Sequence, residues 1–407
     1  MAKEKIQKIS RKRGREEEKD RLSDLPDAVL QHIMNFMNTR DVVRTCVLSK
    51  RWKNLWKHVT TLSFSSLGKV LFYNKFVPKF LAKRDASTSL IDLNIEVYGI
   101  NAPKLLTRIA RYAAQHNAQH LKITTQYNFR GTPTSFFPLM FSCHSLTSLV
   151  FGCVRAPLIE LPKSLLIPTL KTLHLFNVRF DAIDHHCVEP FSACSVLNTL
   201  TLKGYSFCND ADTFCITNSS LSILKISNSF QYNFYPRNNY KHKLILSTSN
   251  LASITIGDNI IFSDDQLSST CDLPFLEEVN IKIFSSPMKY SVVAGWLQVL
   301  SHAKRLTLTF EILYDVQNLD TMEIQSPCFV RLESLKIVIL TPQRVFDEEV
   351  NIMWQYLHDA FSHLVSACGY AELFIRSSSI MESAKFHPSV NIDWKKKSCK
   401  NKNHEQE

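Results

Sequence analysis

The chain has 407 residues, and 45% of them are apolar, which suits folded domains and excludes a largely disordered polypeptide. The net charge of +11 is concentrated near the ends: residues 1–65 hold +7 and residues 391–407 hold +2, so only +2 is left for the long middle. A nucleic-acid-binding protein needs basic residues interleaved with aromatics along a folded face, so this distribution argues against nucleic acid as a partner.

The eleven cysteines include no Cys-x-x-Cys pair, which indicates reduced thiols in the cytosol or the nucleus. The first 20 residues are charged throughout and no run reaches 18 apolar residues, so we expect neither a secretion signal nor a membrane partner. The basic cluster RKRGR at residues 11–15 is either a nuclear import signal or part of a solvated leader. We predict a disordered basic leader over residues 1–20 and a location in the nucleus, the cytoplasm or both.

Residues 22–56, LSDLPDAVLQHIMNFMNTRDVVRTCVLSKRWKNLW, predict three short helices. Pro26 suits the first turn of a helix, because that turn does not need the missing N–H. The first helix is expected to end near Asn38, and its apolar residues follow at helical spacing: Leu30, Ile33 and Met37. Thr39 is expected to cap the second helix, with Asp41 well placed in its first turn.

The third helix is expected to begin at a Ser49 cap and to carry Trp52, Leu55 and Trp56 on one side. Thirty-five residues are too few to bury this much apolar surface against one another. Two tryptophans so close together are expected either in a core or at a binding hot spot. One interpretation is a self-contained cap on the domain that follows, and the other is a surface completed by a second protein.

The pattern apolar-x-x-apolar-x-apolar recurs ten times, at intervals of 24 to 30 residues. It begins at Leu90, Ala118, Leu146, Leu170, Leu197, Leu221, Leu251, Leu276, Ala303 and Leu332. A repeat of this length and pattern is the signature of a leucine-rich solenoid, in which alternate strand residues point into the core and neighbouring strands pair in parallel. We therefore predict an α/β fold: three helices over residues 21–62, then a solenoid of ten coils with a curved parallel sheet over 66–340.

The segments between the strands are uneven, so the convex side of the solenoid is expected to mix helices with 3₁₀ turns. Helical spacing predicts helices over residues 68–84, 102–115 and 291–303. Three prolines in residues 155–169 predict turns there.

The repeat spacing changes after residue 340. Residues 346–368 predict one amphipathic helix and residues 370–375 repeat the strand motif. Solenoids need an atypical closing unit to shield their last apolar face, so we expect residues 341–390 to form it. The charged tail over 391–407 is predicted to be disordered.

The run LSDLPDAVLQHIMNFM followed by TRDVVRTCVLSKRWKNLW resembles the F-box, and its pairing with leucine-rich coils resembles the large plant group of F-box/leucine-rich-repeat proteins. The resemblance implies that the helices hold a Skp-type adaptor of SCF-type cullin-RING ubiquitin ligases and that the solenoid holds the client protein to be ubiquitinated. It implies an adaptor-binding surface made by Leu25, Pro26, Leu30, Ile33, Val43, Val47, Leu48, Trp52, Leu55 and Trp56. A leucine-rich scaffold that acts outside the ligase is the alternative.

Outward positions of the predicted strands are mixed polar residues, as on any solvated sheet face, so the client-binding residues stay unknown. The sequence holds no nucleophile elbow, P-loop, His-Glu-x-x-His or dinucleotide motif, and we predict neither catalytic residues nor a cofactor. The run Asp-His-His-Cys at residues 184–187 lacks a second ligand pair at zinc-site spacing, so we predict no metal site. The chain is expected to be a non-catalytic subunit.

Overall fold

The computed structural model of the protein describes residues 22, 24–64, 70–97, 102–125, 136–153, 159–181, 187–207, 213–227, 242–257, 262–284, 296–311, 329–341, 371–377, 381–386 and 393–397. The predicted leader, the predicted helix over 346–368 and most of the predicted tail lie outside these ranges.

Three helices form near the N-terminus, as the sequence predicts, and 3₁₀ turns follow the second and third. They are α1 (Asp27–Met34), α2 (Thr39–Arg44) and α3 (Trp52–Leu55), with 3₁₀ turns at Thr45–Val47 and Trp56–His58. α1 begins directly after Pro26 and ends four residues before the predicted Asn38. Asn38 instead takes an extended conformation and caps α2, because its side chain accepts a 3.0 Å hydrogen bond from the Arg40 N–H.

Both capping predictions are therefore wrong. Thr39 is buried, and its hydroxyl accepts a 2.8 Å hydrogen bond from the Ser63 N–H, which ties the start of α2 to the first strand. Ser49 does not cap α3, because the residue before that helix is Arg51, which already has helical φ and ψ and makes no side-chain cap. The chain thus enters α3 through residues that continue the helical conformation.

A sheet of twelve parallel strands and two final antiparallel strands runs through the described residues. Numbered in chain order, its strands are β1 (Thr61–Phe64), β2 (Asp92–Val97), β3 (His120–Thr125), β4 (Ser148–Cys153), β6 (Thr172–Phe180), β8 (Thr199–Phe207), β10 (Ile223–Ser227), β12 (Ser253–Gly257), β14 (Glu278–Phe284), β15 (Arg305–Glu311), β16 (Ser334–Thr341), β17 (Ala371–Ser377), β18 (Met381–Phe386) and β19 (Asp393–Lys397). The two-residue strand β5 (Ile159–Glu160) pairs with β6.

Each of the ten sequence motifs gives one strand of this sheet, and each strand begins two residues after the motif does, as Leu90 precedes β2 and Leu332 precedes β16. The strands stay in phase, because Leu93, Leu121 and Leu149 are aligned partners on β2, β3 and β4. These leucines are at most 2% exposed, so they form a continuous row in the core. The predicted solenoid is confirmed, and β1 adds a strand that the motif search did not find.

The predicted helices form on the side opposite the strands. They are α4 (Val70–Lys83) and α5 (Ala102–Gln115), whereas the helix predicted over 291–303 has only a helical turn at 296–299 in its described part. The short α6 (Phe137–Phe141) forms in addition, where the sequence analysis predicted no helix. α5 has the predicted bounds, and its Leu106, Ile109 and Ala113 are fully buried. The described part of the proline-rich stretch at 155–169 contains turns, as its prolines predict, and also the two-residue strand β5, which was not predicted.

A second parallel sheet covers the middle coils. Its strands are β7 (Cys187–Val188), β9 (Thr213–Thr217), β11 (His242–Ser247) and β13 (Phe262–Ser269), paired in the order β13-β11-β9-β7. Short strands replace the helices and 3₁₀ turns expected between the sheet strands here, because these segments alternate apolar and polar residues. Phe214 and Ile216 point inward, and the Phe214 ring stacks on Phe180 of β6 at 5.5 Å, so the two sheets share a core.

Strands β6 and β8 bend together after their first five residues. Asn177 and Gly204 have φ of 52° and 65°, and a Cβ on Gly204 would collide with the Asn177 side chain, so only glycine fits there. The Asn177 amide donates to the Cys153 carbonyl of β4, which links three neighbouring coils. After this bend Val178 and Phe180 are the buried residues of β6, so the strand continues over the second sheet.

The C-terminal strand prediction is confirmed, since β17 begins at Ala371 and pairs in parallel with β16. β18 and β19 then add to the sheet in antiparallel register. The structure therefore differs from the disordered tail expected over 391–407, because Asp393–Lys397 form β19. Strand pairing supplies backbone hydrogen bonds that the charged composition of this segment does not indicate.

Candidate functional site

The three N-terminal helices leave large apolar side chains in contact with solvent. Phe36 is 79% exposed, Val47 82% and Leu48 62%, while Val29 and Ile33 on α1 are about two-fifths exposed. These five residues are called the exposed helical residues below. Isolated apolar residues on a surface are ordinary, but a group of this size in so short a segment is a candidate interaction site.

Helical spacing explains how α1 presents two apolar sides. Leu30 and Met34 are fully buried against the chain, whereas Val29, Ile33 and Phe36 follow one another at four- and three-residue steps on a different side. Phe36 contacts the His32 ring edge-on at 5.1 Å, which orients it at the end of the helix. The sequence search selected the stripe that starts at Leu30, and it missed Val29 and Phe36, although their spacing was equally visible.

The ten residues predicted for the adaptor-binding surface divide into three groups. Exposed are Pro26, Ile33, Val47 and Leu48, partly buried are Leu25 and Val43, and buried are Leu30, Trp52, Leu55 and Trp56. That these residues bind an adaptor stays a prediction. The exposed and partly buried members are the ones that a partner could reach without rearrangement of the chain.

The tryptophans lie in the core of this chain. The Trp56 ring packs against Phe80 of α4 at 5.1 Å, and its N–H donates a 3.0 Å hydrogen bond to the Lys53 carbonyl. Phe80 also contacts Phe64 of β1, so the helices and the first coil of the solenoid share one hydrophobic cluster. Part of the apolar surplus of residues 22–56 is therefore buried by the solenoid, and the exposed helical residues belong to the part that the solenoid does not cover.

A buried arginine reinforces this junction. Arg84, at the end of α4, is 6% exposed and makes five hydrogen bonds with four residues. Its guanidinium donates to the carbonyls of Val59, Thr88 and Ser89 at 2.8 to 3.1 Å and to the Tyr112 hydroxyl at 3.1 Å. Burial raises the pKa of Tyr112, although the Arg84 charge opposes this effect, so its hydroxyl stays protonated. The arginine thus fixes the N-terminal helices relative to the first two coils.

A groove of about 350 Å³ lies at the turns of the middle coils. It is lined by Ser192, Ser195, Thr217, Asn218, Ser219, Ser247, Ser249 and Cys271. Neither a histidine nor a carboxylate is among these lining residues, so its serines lack the adjacent base that a nucleophile needs.

Within the described part of the chain, His, Cys, Asp and Glu residues form no group of three or more that could hold a metal ion. No helix within the described ranges combines the length and the apolar character needed to cross a membrane.

Comparison with known families assigns both regions. Residues 22–63 match the F-box domain, against the 21–62 predicted from the sequence, and residues 106–235 match the repeats of "FBD-associated F-box protein At5g56370, LRR repeats". The exposed helical residues therefore all lie within the F-box match.

Similar proteins occur in Arabidopsis thaliana. F-box/FBD/LRR-repeat protein At1g78750 is 26% identical over 349 residues, which cover 79% of this chain and 72% of that protein. F-box protein At1g60400 is 24% identical over 79% of this chain and 78% of its own length. F-box/LRR-repeat protein 13 is 29% identical over 50% of this chain and 45% of its own length.

In this chain the F-box match precedes the repeat match, as the helices precede the solenoid in the structure. The F-box supports binding of a Skp-type adaptor in general, the repeats support a protein client, and both suggest a non-catalytic substrate-adaptor role. The chain thus carries an F-box at residues 22–63 and leucine-rich coils behind it, which is the organisation of the plant F-box/leucine-rich-repeat proteins that it resembles.

Proposed function

We propose that this protein is the client-receptor subunit of an SCF-type ubiquitin ligase. Helices α1 to α3 hold a Skp-type adaptor, and through it the cullin-RING ligase, while the solenoid holds the protein to be ubiquitinated. The observation that carries the proposal is the exposure of Phe36, Val47 and Leu48 within the F-box match.

The energetics of these side chains favour a partner. Burial of apolar surface is worth about 25 cal/mol per Å², so each exposed Phe, Val or Leu that a partner covers adds to affinity. Loose folding does not explain their exposure, because Leu30 and Met34 of the same helical region are fully buried. An interface of this kind has an apolar centre and a polar rim, and Arg40, Arg44 and Lys50 are exposed near it in the sequence.

The chain acts by bringing two proteins together. Binding an adaptor at one end and a client along the solenoid raises the concentration of client lysines beside the ubiquitin carrier, and this needs no catalytic group in the chain itself. A protein that acts in this way works best when its two binding regions are held in a fixed position relative to each other. The shared core around Trp56 and Phe80 and the hydrogen bonds of Arg84 supply that rigidity.

A matched pair of double variants tests the proposal. Val47→Asp/Leu48→Asp places two charges at exposed apolar positions of the F-box. Val330→Asp/Leu166→Asp makes the same changes in the solenoid at similar exposure, 75% and 63%. Each variant is co-expressed with a tagged Skp-type adaptor, and the co-purified chain is quantified. We expect the first variant to lose at least nine-tenths of the bound adaptor and the second to keep it.

Two outcomes would overturn the proposal. Equal recovery of the F-box variant and the control would mean that these residues do not bind the adaptor. Absence of adaptor from the wild-type preparation, with the chain still folded by circular dichroism, would favour the alternative of a leucine-rich scaffold outside the ligase.

The proposed location is the nucleus, the cytoplasm or both. It rests on the RKRGR cluster at residues 11–15, which lies outside the described residues. A fluorescent fusion with these basic residues changed to alanine should lose nuclear signal if the cluster is an import signal. An unchanged distribution would leave the cluster as a solvated leader.

A further inference from the structure

The outward face of the central strands carries only one sign of charge. On β4, β6, β8, β10 and β12, none of the outward residues is an aspartate or a glutamate. They are Ser148, Val150 and Gly152, then Thr172, His174 and Phe176, then Thr199, Thr201 and Lys203, then Ile223, Lys225 and Ser227, then Ser253, Thr255 and Gly257. A solvated sheet face normally mixes both signs, so this absence of acids is informative.

The register places the basic side chains close together. Lys122, Val150, His174, Thr201 and Lys225 are aligned in one row across β3 to β10. Lys203 lies in the next row on β8, between Phe176 and Ser227. Neighbouring strands are about 4.8 Å apart, so Lys122 and Lys225, four strands apart, define a basic surface about 19 Å wide.

Lys282 extends this surface from the other side. Gly257 on β12 has no side chain, and a Cβ there would lie 3.2 Å from the Lys282 stem, which therefore packs over the glycine. We call Lys122, Lys203, Lys225 and Lys282, with His174 between them, the central basic patch.

Acidic neighbours at the ends of the face are already engaged. Asp92 on β2 lies 2.7 Å from the His120 ring and accepts a hydrogen bond from Thr61 at 3.1 Å. Glu278 on β14 accepts a 2.9 Å hydrogen bond from Asn280. Within the described residues, Lys122, Lys203 and Lys225 form no ion pair. The sheet strands that carry Lys122, Lys203 and Lys225 hold no aspartate or glutamate, so these cations have no counter-charge on their own strands.

The positive charge of the neighbouring lysines also affects the pKa of His174. Partial burial lowers its pKa below the usual histidine value, and the charges of Lys225 and Lys203 lower it further. Phe176 packs its ring against the backbone at Gly152, where any side chain would collide with it. An apolar surface thus lies beside the lysines.

We propose that the central basic patch binds an acidic segment of the client, with carboxylates opposite the lysines and an apolar side chain against Phe176. This deepens the proposed function, on which it rests for the identity of the ligand as a client. Charge complementarity of this kind sets specificity and association rate. Nucleic acid is disfavoured, because Phe176 is the one aromatic residue among the outward positions of β4 to β12.

Fluorescence anisotropy with defined peptides tests this site. The probe is a fluorescein-labelled nonapeptide of three Glu-Glu-Leu units, and three Gln-Gln-Leu units form the neutral control. We expect the full chain, bound to its adaptor, to bind the acidic peptide at least tenfold more tightly. Lys203→Glu/Lys225→Glu should weaken that binding at least tenfold. Lys104→Glu/Lys243→Glu makes the same charge change on α5 and β11, off this face, and should alter it less than twofold.

The remaining outcomes are equally decisive. Equal affinity for the two peptides, or equal loss in both variants, would overturn the proposal. Tighter binding of a single-stranded RNA oligonucleotide that is lost in the Lys203/Lys225 variant would replace it with a nucleic-acid site. Lys203→Gln/Lys225→Gln removes the two positive charges without reversing them, so it should weaken peptide binding less than Lys203→Glu/Lys225→Glu. Circular dichroism establishes that each variant is folded. Since adaptor co-purification is measured on the same samples, a failure here is distinct from a failure of the F-box proposal.

Discussion

The F-box helices and the central strands of the solenoid bury their apolar residues to very different degrees. On β8 and β10, Leu200, Leu202 and Leu224 are fully buried, and the outward side chains before the bend are polar or basic apart from Ile223. In the F-box, Phe36 and Val47 are about four-fifths exposed, although the region has its own buried residues. The difference indicates two surfaces that bind by different chemistry, one by removal of apolar area from water and the other by charge.

The largest expected difference between the two regions is in the free energy of unfolding lost when one apolar side chain is truncated in each. Leu200→Ala removes a fully buried side chain and is expected to lower the free energy of unfolding by about 2–5 kcal/mol. Val47→Ala removes an exposed one and should change it by less than about 0.5 kcal/mol. Urea denaturation followed by circular dichroism measures both, and similar losses for the two variants would contradict the comparison.

Substitution at the junction between the two regions should lower the stability of the chain nearly as much as substitution in the core. Arg84→Met leaves the carbonyls of Val59, Thr88 and Ser89 without their donor, and we expect a loss of about 2–4 kcal/mol. Arg84→Lys should also destabilise, because an ammonium cannot match the planar donor geometry. Arg108→Met, at an exposed position of α5, is the matched control. Thermal melts that do not separate Arg84→Met from this control would show that the arginine does not stabilise the junction.

The affinities of the two binding surfaces should depend differently on salt concentration. Raising NaCl from about 50 to 300 mM shortens the screening length, so affinity for the acidic peptide should fall at least threefold. Adaptor affinity should change less than twofold, because apolar burial does not depend on screening. Titrations of both ligands at the two salt concentrations measure this, and equal salt dependence would remove the chemical distinction.

The smallest expected effect concerns pH. Burial lowers the pKa of His174 and of His116 in the folded chain below the value of about 6.5 in an unfolded chain. The unfolded state therefore binds more protons as the pH falls from about 6.5 towards the folded pKa values, and stability is lost in that window. We expect His174→Gln to reduce the fall in melting temperature between pH 7.5 and 5.5, and an unchanged fall would refute this assignment.

The solenoid was predictable because its signal is repeated. Ten copies of one motif determine the strand positions, and α5 has strong helical spacing over residues 102–115. The second sheet was missed because β9 and β11 are short alternating segments, and their pairing becomes evident only when the coils stack.

The F-box shows where sequence patterns alone are insufficient. Trp52 and Trp56 fit a core or a partner surface equally well from the sequence, and contact with Phe80, 24 residues beyond Trp56, places Trp56 in the core. Thr39 fits a cap by residue type, but the turn geometry at Asn38 and the distant Ser63 decide its role. Contacts between residues far apart in sequence were thus the missing information.

Hydrogen exchange of the purified chain, measured peptide by peptide with and without the Skp-type adaptor, tests the central claim most directly. We predict slower exchange in peptides covering residues 25–48 when the adaptor is added, and no change in strands β3 to β12. Protection that appears on the solenoid strands instead, or none at saturating adaptor, would contradict the assignment of the exposed helical residues as the adaptor-binding site.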